Sequence, residues 1–196
     1  MKILFVNACV RGEGVSRTLE LCRLFLEEYS KLNPNHILTE IDLSASTLQN
    51  LNSADLIKRD TLIDEDKLDD EMFAHAKEFV SADKILIGAP YWDLTFPTVL
   101  RTYIEHVSAR NVAFCTTPNG TEGLCKADKL MYITTAGGFV KDNANLGTKY
   151  FAELCNFFGI DEFNSVMAEG LDIDTSDLSA IMEKTKQKVI EAVQAF

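Results

Sequence analysis

Three short apolar runs constrain this chain more than any other feature. Lys2–Asn7 (KILFVN), residues 84–89 (KILIGA) and Lys129–Thr135 (KLMYITT) are continuously apolar rather than alternating. A strand apolar at successive positions is covered on both faces, and sheets of that kind are parallel and flanked by helices. Helix-length segments separate the runs. Ser16 suits an N-cap, with Leu19, Cys22, Leu26 and Tyr29 on one face behind it. A second stripe runs through Met72, Phe73, Ala76, Phe79 and Val80. Pro97 suits the first turn of a third helix, which carries Val99, Leu100, Tyr103, Ile104 and Val107. Leu146, Tyr150, Phe151, Leu154, Phe157 and Phe158 form a fourth stripe, capped by Gly159. Residues 36–43 and 163–168 read as two further strands, and 175–196 as a terminal amphipathic helix.

The order βαβαβαβαβ predicts an α/β fold: a doubly wound, five-stranded parallel sheet in the order 2-1-3-4-5, with helices on both faces. One domain is expected over residues 1–196. An excursion interrupts it at about 111–125, where Pro118-Asn119-Gly120 signals a turn. That excursion suits a lid, a dimer contact or a plain surface hairpin. Residues 44–68 are polar and show no firm period. In such sheets ligands sit beyond the carboxyl ends of the strands, where strand order reverses. The loops after the first, third and fourth strands are therefore the ones to read for chemistry.

Charge and composition narrow the partners. The net charge of -11 lacks the basic face that nucleic acid or an anionic membrane requires, so neither is expected. The 5 cysteines are odd in number and lack C-x-x-C spacing, which points to free thiols in a reducing compartment. The first apolar run is too short for a signal segment or membrane span, and a cytoplasmic location is expected. His36, His75 and His106 show no metal spacing, so no metal is expected. His106 reads as a surface or interface residue, and the acidic run at 64–70 as a solvated segment lacking the pattern of a calcium loop.

The first loop, CVRGEGVSRT, is neither the dinucleotide fingerprint nor a P-loop. It offers the hydroxyls of Ser16 and Thr18, the guanidinium groups of Arg11 and Arg17, and the free amides of a helix start. Together these make a phosphate site. Plain capping by Ser16 with solvated arginines is equally open. The second loop, GAPYWDLTFP, places two adjacent aromatics at a strand exit, where they can wall a planar ring or simply fill a gap. The third, TTAGGF, carries two glycines that allow a ligand close to the backbone or merely turn the chain.

Read together, KILFVNACVR with SRT, GAPYWDLTFP, YITTAGG, residues 114–124 (FCTTPNGTEGL) and AEG at 168–170 resemble the flavodoxin-like NAD(P)H quinone dehydrogenases. The branch most similar is that of the FMN-dependent NADH azoreductases. The resemblance covers most of the chain, in order. It implies a flavodoxin-like fold, tightly bound FMN, NADH or NADPH as co-substrate and a small-molecule electron acceptor. The implied activity is that of an enzyme reducing quinones, azo compounds or similar electrophiles by ping-pong two-electron transfer. It also implies a homodimer with its sites at the interface. Carried over by position, Ser16, Arg17 and Thr18 hold the FMN phosphate, assisted by Cys9 or Arg11. Pro90, Tyr91, Trp92, Asp93 and Leu94 line the ring and ribityl chain. Thr135, Ala136, Gly137 and Gly138 contact the other polar edge. No side chain is assigned as a catalytic acid or base. The chain departs from the family at Cys9, often Ser, at Asp93, often Asn, and at Ala136, often polar or basic. An ionised Asp93 cannot donate a hydrogen bond to a flavin. A flavodoxin-type electron carrier and a flavin-binding module without turnover are the alternative readings.

Overall fold

In the computed structural model, which describes residues 1–141 and 145–196, the apolar runs lie side by side. The strands are β1 (Lys2–Asn7), β2 (Ile37–Asp42), β3 (Lys84–Gly88), β4 (Phe114–Thr117), β5 (Gly120–Gly123), β6 (Lys129–Thr135) and β7 (Glu162–Ala168). The helices are α1 (Arg17–Leu32), α2 (Ser53–Asp64), α3 (Ala74–Val80), α4 (Thr98–Val107), α5 (Leu146–Phe158) and α6 (Leu178–Ala195). The main sheet is fully parallel, in the order β2-β1-β3-β6-β7. Counted within that sheet alone, this is the predicted order 2-1-3-4-5.

Continuous burial explains why these segments are strands. Along β1, Ile3, Leu4, Phe5 and Val6 are each no more than 1% exposed, so neither face of the strand meets water. Side chains alternate between two cores. Ile3, Phe5, Leu86, Met131 and Ile133 pack with Leu19, Phe25 and Val189 beneath α1 and α6. Leu4, Val6, Ile85, Ile87 and Leu130 pack with Phe79, Leu100 and Phe151 beneath α3, α4 and α5. Burying each such side chain stabilises the fold by about 1.5–3 kcal/mol. The helix ends match local chemistry. Ser16 caps α1 by accepting from the Leu19 amide, and Gly159 closes α5 in the left-handed region at φ 75°.

Two elements go beyond the sequence reading. The polar stretch 44–68 contains α2, whose start is fixed by a capping box. The Asn52 side chain accepts from the Ala54 and Asp55 amides, and the Asp55 carboxylate accepts from the Asn52 amide. Ile63 is the one buried residue of α2, while Leu56 and Ile57 face solvent. That leaves no apolar period to read. The excursion is an antiparallel hairpin of β4 and β5. Phe114 stacks near Phe157 with centroids 4.7 Å apart, and the Cys125 amide donates to the Phe158 carbonyl at 3.1 Å. The base of the hairpin is thus fastened to the C-terminal end of α5, at the amino edge of the sheet. That placement suits a surface hairpin or a contact with another chain rather than a lid over the strand-end loops. Boundaries shift slightly elsewhere. The terminal helix begins at Leu178, capped by Asp177, rather than at 175, and the last strand begins at Glu162.

Candidate functional site

The loop after β1 is shaped by two glycines and an ion-pair chain. Gly12 and Gly14 lie at φ 72° and 74°, a region that costs residues with a Cβ about 1–2 kcal/mol. The Gly12 carbonyl accepts from the Ser16 amide and delivers the chain into α1. On the β2 side, the Cys9 amide donates to Asn7 Oδ1 at 3.0 Å, and Asn7 Nδ2 donates to Glu40 Oε1 at 3.0 Å. Arg23 then bridges Glu40 at 2.6 Å and Glu13 at 2.7 Å. The Glu40 contact, with Glu13, holds the Arg23 guanidinium above its ordinary range.

The loops after β3 and β6 meet this loop at the switch point between β1 and β3. The Tyr91 amide donates to the Thr135 carbonyl at 2.9 Å. Thr18 Oγ1 and Thr135 Oγ1 share a buried hydrogen bond of 2.7 Å, which ties the first turn of α1 to the end of β6. Between the loops lies a cleft of about 190 Å³. Its lining includes Arg11, Ser16, Arg17, Thr18, Pro90, Tyr91, Trp92, Thr135, Ala136 and Gly137, ten of the residues singled out from sequence.

The other four lie outside that lining. Cys9 is fully buried beneath the loop, its Sγ 3.5 Å from the Gly88 carbonyl. Its neighbour Cys22 is also fully buried, and burial pushes that thiol well above its ordinary range, so it is inert rather than nucleophilic. Asp93 and Leu94 form the corner of a tight turn in which the Thr95 amide donates to the Trp92 carbonyl at 2.8 Å. Both corner residues are left-handed, at φ 47° and 72°. Leucine tolerates that region poorly, and strain of this kind collects at functional sites. Gly138 is exposed at the rim, where its carbonyl accepts from the Gly170 amide at 3.0 Å.

The sequence reading missed Val15, Leu171 and Asp172, which complete the lining. The last two belong to the loop after β7. That loop is stitched to the β6 loop by hydrogen bonds from the Leu171 amide to Ala136 O and from the Asp172 amide to Gly137 O. Their only signal in the sequence is that the fifth strand neighbours the fourth. Arg17 is not simply solvated but paired, with its side chain still partly exposed. Its Nη1 donates to Asp172 Oδ1 at 2.8 Å and to Leu171 O at 3.3 Å. With side chains 37% and 67% exposed, that ion pair contributes no more than about 1 kcal/mol.

The set of donors is specific in character. The first amides of α1 have no intrahelical acceptor, and the helix dipole and two guanidinium groups favour an anion there. Pro90, Tyr91 and Trp92 line the cleft together with Ala136 and Gly137. A phosphate joined to a planar ring matches both ends. Among the described residues no group of three or more His, Cys, Asp or Glu is placed to hold a metal ion. No described helix is long and apolar enough to cross a membrane.

Comparison with known proteins identifies the family and the fold. A family model described as flavodoxin-like fold matches residues 1–193. The chain is 31% identical over 199 residues to the FMN-dependent NADH:quinone oxidoreductase 2 of Clostridium acetobutylicum, covering 100% of this chain and 99% of the relative. It is 33% identical over 194 residues to an FMN-dependent NADH:quinone oxidoreductase of Clostridium perfringens, covering 98% and 94% of the two chains. The crystal structure of an azoreductase from Bacillus anthracis superposes with a TM-score of 0.89 at 26% identity, covering 100% of both chains.

Proposed function

We propose that this chain, which belongs to the flavodoxin-like fold family, is an FMN-dependent NAD(P)H oxidoreductase that reduces quinones, azo compounds or similar electrophiles. The observation that carries the reading is the meeting of three loops in one cleft, in a chain that matches FMN-dependent relatives from end to end. FMN, when bound, would supply two-electron chemistry between a nicotinamide and an acceptor, in a ping-pong cycle. The protein's part is to hold and orient the cofactor. Ser16, Arg17, Thr18 and Arg11 supply the phosphate cradle. Pro90, Tyr91 and Trp92 wall the ring, with Asp93 and Leu94 setting the turn that presents Trp92. Thr135, Ala136, Gly137 and Gly138 offer backbone to the ring's polar edge. Cys9 supports the cradle from below, since its thiol faces the core. No side chain is needed as an acid or base.

A homodimer fits the cleft. At about 190 Å³ it is smaller than the roughly 300–1,000 Å³ of most small-molecule sites, which favours a pocket completed by a second chain. Val10, Val15, Trp92, Leu94 and Phe139 stand exposed on the strand-end loops. A second copy would cover them and complete the slot. The 5 free cysteines suit a reducing, cytoplasmic setting, and the whole chain is read as one domain.

The test is the visible spectrum and FMN affinity of the purified protein, followed by turnover with NADH or NADPH and a simple quinone. Ser16→Ala combined with Arg17→Ala should weaken FMN binding by about 2 kcal/mol, from the loss of charged hydrogen bonds to phosphate. A protein without flavin absorbance, whose melting temperature ignores added FMN, would end this reading.

A further inference from the structure

We infer that Asp172 competes with the flavin phosphate for Arg17, and so sets how strongly this site prefers a phosphorylated flavin; the inference rests on the FMN reading above. Both side chains line the same cleft. Asp172 Oδ1 accepts from Arg17 Nη1 at 2.8 Å, across 155 positions of sequence. The backbone that carries this carboxylate is held in place. Its backbone amide donates to Gly137 O at 2.8 Å, and the preceding Leu171 amide donates to Ala136 O at 3.2 Å. Its Oδ2 lies 2.3 Å from where a Cβ on Gly137 would stand, so the carboxylate sits directly over the Gly137 backbone.

A phosphomonoester bound at the start of α1 brings negative charge to the mouth that Asp172 already occupies. Arg17 must then divide its donors between carboxylate and phosphate, and the two anions repel. Because the Arg17–Asp172 pair is largely exposed, it opens at little cost. The repulsion remains for as long as Asp172 is charged. A flavin without phosphate feels neither effect. Asp172 is therefore a specificity-determining residue, which loosens the grip on FMN without touching recognition of the ring.

The test compares Asp172→Asn with the unaltered protein by titration with FMN and with riboflavin. Asparagine keeps the shape and can still accept from Arg17, but it removes the charge. FMN should bind about tenfold tighter to the variant while riboflavin affinity stays the same, the size expected from removing one unit charge a few ångströms from a phosphate in a partly exposed site. Raising the salt concentration should shrink the difference. The inference is overturned if FMN affinity is unchanged or falls, or if both flavins shift together. If the unaltered protein binds neither flavin, the FMN reading itself fails and takes this inference with it.

Discussion

The hydrogen bond between Thr18 and Thr135 offers a clean measure of what joins the first and third loops. The two hydroxyls are 2.7 Å apart, and the residues are 1% and 8% exposed, so neither group has bulk water to turn to. Valine keeps the shape and β-branching of threonine and deletes only the hydroxyl. Thr18→Val or Thr135→Val alone strands the partner's hydroxyl in a buried site, at a cost of about 1–3 kcal/mol. For a chain of this size, each kcal/mol lowers Tm by about 2–4 °C, so each single variant should melt about 2–12 °C lower. The double variant strands nothing. Its loss should fall short of the sum of the singles by about 1–2 kcal/mol, the coupling expected of residues in direct contact. The assay is urea denaturation of all four proteins without added flavin, with equal m-values required before energies are compared. Additive single losses, with coupling below about 0.3 kcal/mol, would refute the argument that this bond ties the loops together.

Three further outcomes follow from other parts of the molecule. Gly123→Ala puts a Cβ 1.9 Å from the Phe158 carbonyl carbon and 2.1 Å from the Gly159 nitrogen, so the hairpin must lift off α5. The loss of one hydrogen bond and one aromatic pair should cost about 2–3 kcal/mol by calorimetry. FMN affinity should hold, and a Tm shift within about 1 °C would contradict the packing. At Leu94, where φ is 72°, Leu94→Gly should be more stable than Leu94→Ala by about 1 kcal/mol in chemical denaturation, the reverse of the usual glycine penalty. Burial lowers the pKa of His75, helped by repulsion from His106 and opposed by Glu78. The unfolded chain then binds more protons near pH 6.5, so stability is full above that value and falls as pH drops through it. His75→Gln should flatten the slope of stability between pH 7.5 and 5.5, and an unaltered slope would assign it to another group.

How much of this was legible beforehand depends on how local the signal is. Continuous apolar runs, the Ser16 cap, the Gly159 cap and the turn at Pro118-Asn119-Gly120 all act within a few residues. They specified the five strands of the main sheet, most of the helices and a turn within the excursion, while the hairpin itself stayed one of three open readings. The parallel order followed because helix-length connections leave few ways to cover both faces of a sheet. The helix α2 escaped because Leu56 and Ile57 face solvent, although Asn52 and Asp55 spelled its capping box.

The sequence by itself determined the layered α/β fold and which three loops would converge, since both depend on periodicity and connection length. Tertiary structure alone decided where individual side chains of those loops went. It turned the Cys9 thiol into the core, held Asp93 and Leu94 in a left-handed corner, and brought Asp172 from a fourth loop onto Arg17. The reason is physical. A side chain's direction on a loop, and its partner across 155 positions, are set by packing against elements that no neighbouring residue encodes.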